Sequence, residues 1–352
     1  VSVPTLEGVT ARTVTTERIA TRVLFTGPED GVPVLFLHGN SSSATWWEET
    51  MLALRPGFRG IAPDLRGFGD ASPDEKVDAT RGAGDWADDT VALLDHLGID
   101  KAHLVGNSLG GCVVWRLMMD APERFYTASL VDTGSPYGFG GTKDVEGTPC
   151  YDDFAGSGGG LVNQEFLEHV ADQDRGLESP VSPRLALRTL LVKPPFVPPR
   201  EEDLLSSMLT MHLGEFDIPG GFSPSPNWPY VAPGVWGAAN ALSPKYMGDV
   251  ARLLAAEPKL DVLWVRGSDD VTVGDQAASC PGTLGLMGVI PNYPGIDVFP
   301  PQPMLGQIRA VLERYAVAGG SYKEVVIEGT GHVPFIEKPD ALNAVLGEHL
   351  VR

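Results

Sequence analysis

At 352 residues, with 43% hydrophobic and 20% charged side chains, the chain is long and apolar enough to bury a large core, which excludes a disordered or coiled-coil protein. Acidic residues outnumber basic ones by 46 to 26 for a formal net charge of -20, so no nucleic-acid partner and no anionic membrane surface is expected. The apolar runs, such as 34–37 and 262–265, are far too short to span a bilayer, so no transmembrane segment is expected, and no basic start with a long apolar stretch marks export.

Three cysteines, Cys112, Cys150 and Cys280, make neither a disulfide framework nor a paired metal-ligand spacing. They fit a reducing, cytoplasmic setting, with one bridge left open; the start at Val1 without a Met leaves a removed leader open as well.

In chain order, residues 13–25 are rich in Val, Ile and Thr and predict an early hairpin. The run 32–37 is almost continuously apolar, as a strand buried on both faces should be. A short helix is expected over 45–54, a strand over 59–62, and a helix over 86–97 with Gly98 as its stop. Strand 102–105, helix 109–119 and strand 128–131 continue the alternation, which predicts a mostly parallel sheet covered by helices on both sides. Between Gly134 and Pro244 no clean strand appears, only Gly- and Pro-rich tracts and helical stretches at 162–173 and 201–213. That is too long for a structureless loop, so residues 134–244 are expected to form a mainly helical cap inserted between core parts 1–133 and 245–352. The second core part reads as helix 246–256, strand 260–265, helix 305–317, strand 322–327 and helix 339–350, with an irregular insertion at about 276–303.

The strongest chemical signal is Gly106-Asn107-Ser108-Leu109-Gly110, set between a strand and a helix. A sharp strand-to-helix turn crowds its own backbone, so small residues are needed two places either side of the central serine, and the turn lifts that serine out of the sheet edge. A helix N-cap serine would explain Ser108 but not the paired glycines. A serine hydroxyl needs a base, and His332, in Gly331-His332 after the last strand, sits where an open α/β sheet places its chemistry. His38 reads instead as structural. A carboxylate should orient the base: Asp270 is preferred, Asp269 then being a turn residue, and Asp132, which ends the strand after the serine's, is the alternative acid. The N–H groups of Leu109 and of Asn40 or Ser41, following His38-Gly39, can form an oxyanion hole, while Asn40 and the following serines can equally cap the next helix.

These motifs together, with Asp64-Leu65-Arg66-Gly67-Phe68-Gly69 and the order serine, acid, histidine, resemble those of the α/β-hydrolase superfamily over residues 14–132 and about 246–350. The resemblance implies an α/β-hydrolase fold and makes the 64–69 loop a structural flank of the active site, with Arg66 an organiser. His38-Gly39-Asn40 is similar to haloalkane dehalogenases and epoxide hydrolases, but Ser108 stands where those relatives carry an aspartate nucleophile, so hydrolysis through an aspartyl ester is not expected.

The expected reaction is serine attack on a carboxylic ester or lactone, with His332 as base, an acyl-enzyme, and water completing hydrolysis; it requires no metal and no organic cofactor. Aromatic residues on shaped loops suit a bulky, partly apolar small molecule, and Trp46, Trp47, Phe139, Phe196, Phe222, Trp228 and Trp236 are the candidate substrate-binding residues, though each serves equally well as local core. The 276–303 segment could complete the pocket or form a contact between copies in a homo-oligomer. The alternatives are a carbon–carbon bond hydrolase using the same residues and a non-catalytic receptor on the same fold.

Overall fold

The alternating strand and helix patterns close into one eight-stranded sheet in the computed structural model, which describes residues 3–351. In chain order the strands are β1 (Thr10–Thr15), β2 (Ala20–Thr26), β3 (Val32–Leu37), β4 (Phe58–Pro63), β5 (Ala102–Asn107), β6 (Phe125–Val131), β7 (Leu213–Gly214), β8 (Ile218–Pro219), β9 (Phe222–Pro224), β10 (Val231–Pro233), β11 (Asp261–Gly267) and β12 (Ser321–Ile327). The large sheet runs β1-β2-β4-β3-β5-β6-β11-β12. Its β1–β2 and β2–β4 pairs are antiparallel and the rest are parallel.

This order locates the site. The chain passes from β3 to β4 on one side, then returns to place β5 on the other side of β3, so the loops leaving β3 and β5 diverge at the carboxyl edge. Such a switch point opens a crevice in a parallel sheet. The loop after β3 carries His38 to Ser41, and the turn after β5 carries Ser108.

The strand sequence explains the two-sided burial. Along β3, Leu35 and Leu37 join one apolar cluster with the Gly84–His96, Leu109–Asp120 and Met304–Val317 helices. Val34 and Phe36 join the other, with the Glu48–Leu52 and Pro339–His349 helices. Alternate side chains leave opposite faces of a strand, so a continuous apolar run is what a doubly covered strand requires.

The segment between β6 and β11 is more mixed than a purely helical insertion, its helices being joined by short strands. It holds helices Gln164–Ala171 and Glu201–Met208 and a π-helical turn, Leu187–Leu191. It also holds two small sheets, parallel β7–β8 and antiparallel β9–β10. Strands of two or three residues carrying Gly214, Pro219, Pro224 and Pro233 have no room for an alternating pattern, which is why they look like loop in the sequence. The helix expected from 246 starts only at Val250, where Asp249 accepts the Arg252 N–H at 3.1 Å and so caps the first turn. All three cysteines are free thiols. Among the described residues no helix is long and apolar enough to cross a membrane.

Candidate active site

Ser108 sits at φ 54° and ψ -115°, strained backbone for a residue with a side chain. Sterics on either side explain the glycines. A Cβ on Gly106 would overlap the Gly110 carbonyl, and one on Gly110 would overlap the Leu37 carbonyl, so the helix start lies directly against β3. The Ser108 N–H donates to Val131 O at 3.1 Å, tying the turn to β6. Leu109 opens the following helix, so its N–H has no intrahelical acceptor and remains available at the serine.

The loop after β3 approaches from the other side. A Cβ built on Gly39 would lie 3.2 Å from Ser108 Cβ and 2.8 Å from Asn107 Oδ1, so only a glycine permits this approach without displacing the elbow. Ser41 holds a positive φ of 52°, and Asn40 is exposed on the same turn. His38 pins the loop: its Nε2 accepts the Leu65 N–H at 2.9 Å, leaving the proton on Nδ1, which donates to Gly39 O at 2.8 Å. Burial lowers the His38 pKa from 6.5 to about 4, so the ring is neutral and structural.

His332 lies after β12 with its side chain 3% exposed, and its Nδ1 meets Asp270 Oδ2 at 2.8 Å. Asp270 is itself fixed, its Oδ1 accepting the Thr272 and Val273 N–H groups at 2.7 and 3.0 Å. The neighbouring Asp269 points elsewhere, pairing with Lys193 Nζ at 2.8 Å near the surface. Asp132, the alternative acid, accepts the Gly267 N–H at 2.8 Å instead of binding the ring. No hydrogen bond among the described residues engages Ser108 Oγ or His332 Nε2. Asp132, Asp270 and His332 offer ligand-type atoms within 4.8 Å of one another, and the Nδ1 of His332 is already bonded to Asp270.

Several residues that position these groups carry no motif of their own. Asn107 Nδ2 donates to both Val131 O and His332 O, at 3.1 and 3.2 Å, linking the elbow to the histidine loop. The only hint in the sequence is its place beside the serine. Glu337 accepts the Gly331 N–H at 2.7 Å and the Lys193 N–H at 2.8 Å, while the His332 N–H donates to Leu191 O at 2.9 Å. The histidine loop is thus built partly on the segment inserted between β6 and β11. Arg66 behaves as an organiser, its guanidinium forking onto Asp89 at 2.8 and 2.7 Å.

The aromatic candidates do not form one wall. Trp47 is fully buried in the core, stacked on Phe335 at 4.2 Å and tilted against Phe36 at 5.3 Å, which replaces a substrate role with a packing one. Trp46 is buried in the same cluster, with Phe196 packed on its edge. Phe139 packs on the opposite cluster. Trp228 is likewise an internal anchor, donating to Pro291 O at 2.9 Å and packing on Tyr293 and Phe299, so it joins the two irregular segments. Trp236 packs edge-on against Phe216, and Phe222 is 54% exposed on the β9–β10 hairpin.

A family model described as the Alpha/beta hydrolase family matches residues 34–345. The uncharacterized carboxylesterase nap of Bacillus subtilis strain 168 is 33% identical over 117 residues, which is 33% of this chain and 38% of that protein. The 2-hydroxymuconate semialdehyde hydrolase of Pseudomonas sp. strain CF600 is 39% identical over 97 residues, 27% of this chain and 34% of the relative. Both matches span little more than a third of the relative's length. The 2-hydroxy-6-oxo-6-phenylhexa-2,4-dienoate hydrolase of Rhodococcus sp. strain RHA1 superimposes with a TM-score of 0.61, covering 98% of this chain and 99% of its own at 20% identity, a likeness of fold.

Proposed function

Because the chain belongs to the alpha/beta hydrolase family, we propose that it is a serine hydrolase cleaving a carboxylic ester or lactone of a bulky, partly apolar substrate through an acyl-enzyme on Ser108. The observation that carries the reading is the His332–Asp270 contact of 2.8 Å on the same sheet edge as the strained Ser108 elbow. His332 takes the Ser108 proton as Oγ attacks the carbonyl, and Asp270 holds the ring with its proton on Nδ1 and stabilises the imidazolium. The N–H of Leu109, with that of Asn40 or Ser41, receives the oxyanion. The imidazolium returns the proton to the leaving alkoxide, and water activated by His332 then releases the acid. The segment between β6 and β11 serves as the cap over this centre.

A second reading, hydrolysis of a carbon–carbon bond beside a ketone, draws support from the two relatives whose names place them among such dienoate and semialdehyde hydrolases. A turnover screen separates the two: aryl esters, long-chain esters, lactones from small to macrocyclic, and vinylogous diketones, each against Ser108→Ala. The expected result is cleavage of at least one ester or lactone, with Ser108→Ala slower by about 10³-fold or more. Turnover of diketones alone would transfer the assignment to the second reading, and no serine-dependent turnover of any class would remove both.

A further inference from the structure

Asp132 is the one buried acid at the site that the proposed acyl transfer leaves unused. It ends β6 at a positive φ of 41°, beside β11, and is 1% exposed. Its Oδ1 accepts the Gly267 N–H at 2.8 Å. Its Oδ2 is shut off from solvent, and no donor among the described residues reaches it. Close by stands Asp270: one polar atom each from Asp132, Asp270 and His332 lies within 4.8 Å of the others.

Two ionised carboxylates do not share a dry site of this size without a cation between them. The charges that bear on Asp132 are those of Asp270 and, further off, Glu337, both acidic, while His332 spends its Nδ1 on Asp270. Asp270 already accepts two backbone N–H groups and the ring, so it is the better-solvated anion of the pair. A proton on Asp132 Oδ2 removes both difficulties, since it neutralises one charge and turns an orphaned acceptor into a donor with the Asp270 carboxylate close by.

We propose that Asp132 is a neutral carboxylic acid at neutral pH whose Oδ2–H donates to the Asp270 carboxylate, so that the two acids behind His332 carry one negative charge between them. The inference rests on the serine–histidine–aspartate reading of the site. Asp132 is then a positioning residue: it acts on Asp270, holding the carboxylate against the ring, and touches no reacting atom. Burial pushes the Asp132 carboxyl well above the ordinary carboxylate range, and the Asp270 charge pushes it further the same way.

Asp132→Asn keeps an acceptor for Gly267 and a donor toward Asp270 in nearly the same shape, without an ionisable group. The full chain at neutral pH should show an infrared protonated-carboxyl band that disappears in Asp132→Asn and persists in Glu337→Gln. In the same variant kcat/KM on the best ester should fall about threefold, with the acidic limb of its pH profile moving by less than about half a unit, because the local charge is unchanged. Asp132→Ala, which lacks the donor, should lose about tenfold or more, so that asparagine counts as a rescue. Absence of the band from the wild type, or a downward shift of the acidic limb by half a unit or more, would mean that Asp132 is ionised and overturns the proposal. If Asp132→Asn does not fold, neutron diffraction from wild-type crystals decides: a deuteron on Asp132 Oδ2 supports the proposal and a bare oxygen overturns it. The infrared and neutron results judge the proton whether or not an ester is cleaved, so failure of the hydrolase reading and failure of this one are told apart.

Discussion

A single neutral histidine holds the two loops at the switch point together. His38 accepts from Leu65 on one nitrogen and donates to Gly39 on the other, an arrangement only the neutral ring can make. Its pKa is lowered from 6.5 to about 4, so the unfolded chain binds a proton across that window and the folded chain does not. Stability from this source is therefore complete above about pH 6.5 and is lost as pH falls toward 4, by about 3 kcal/mol in all. Buried acids such as Asp64, whose pKa burial raises, act in the opposite sense, so the test is a difference. The gap in unfolding free energy between wild type and His38→Gln should shrink by about 3 kcal/mol from pH 7 to pH 4; a constant gap would show that His38 is not buried in its neutral form. His38 was legible as structural because it ends a buried strand. Asn107 was not, since its value lies in a bond to His332 O, 225 residues away in sequence.

At the scale of elements, the segment between β6 and β11 contributes backbone acceptors to the loops that carry His332 and Asp270. The π-helical turn Leu187–Leu191 ends where Leu191 O receives the His332 N–H and Leu190 O receives the Thr272 hydroxyl, so the histidine loop and the acid loop both dock on it. Glu337 closes the same junction through two backbone N–H groups. Glu337→Gln leaves one acceptor for two donors and should lower unfolding stability by about 1–3 kcal/mol. It should also speed amide exchange at Gly331 and Lys193, because those two donors lose a fixed partner. Unchanged protection at both amides would mean that the junction is held by something else. None of this was visible in the sequence, where 187–193 lies outside the helical stretches 162–173 and 201–213; what ties it to both loops is a pair of backbone carbonyls, and carbonyls have no sequence signature. The short strands β7 to β10 escaped for a related reason, being too brief for alternation and rich in glycine and proline.

Across the whole molecule, the parts of the sequence that carried period and punctuation folded as their pattern requires. Strands β3, β5, β6 and β11 are largely apolar runs bounded by turns, β12 is a half-exposed edge strand, and their parallel order follows from the helices between them. The elbow at Ser108, with glycines whose Cβ atoms would overlap neighbouring carbonyls, is a steric fact that the sequence states directly. Asp270 is the preferred acid over Asp132 and Asp269 in the sequence, but spacing alone does not supply the distances, because all three follow strands at the same edge; distance separates the one on the ring from the one on Lys193 and the one on Gly267. The aromatic side chains misled for a general reason: large rings fill cores as readily as pockets, and Trp47 and Trp228 fill cores. The proposed reaction depends on Ser108 as an acyl-accepting nucleophile. The most direct measurement is intact and peptide mass spectrometry after brief exposure to an activated aryl ester or an alkyl fluorophosphonate. One adduct per chain is expected, on the peptide carrying Ser108, absent from Ser108→Ala and strongly slowed in His332→Ala; an unlabelled folded wild type, or an adduct on another residue, would contradict the assignment of Ser108.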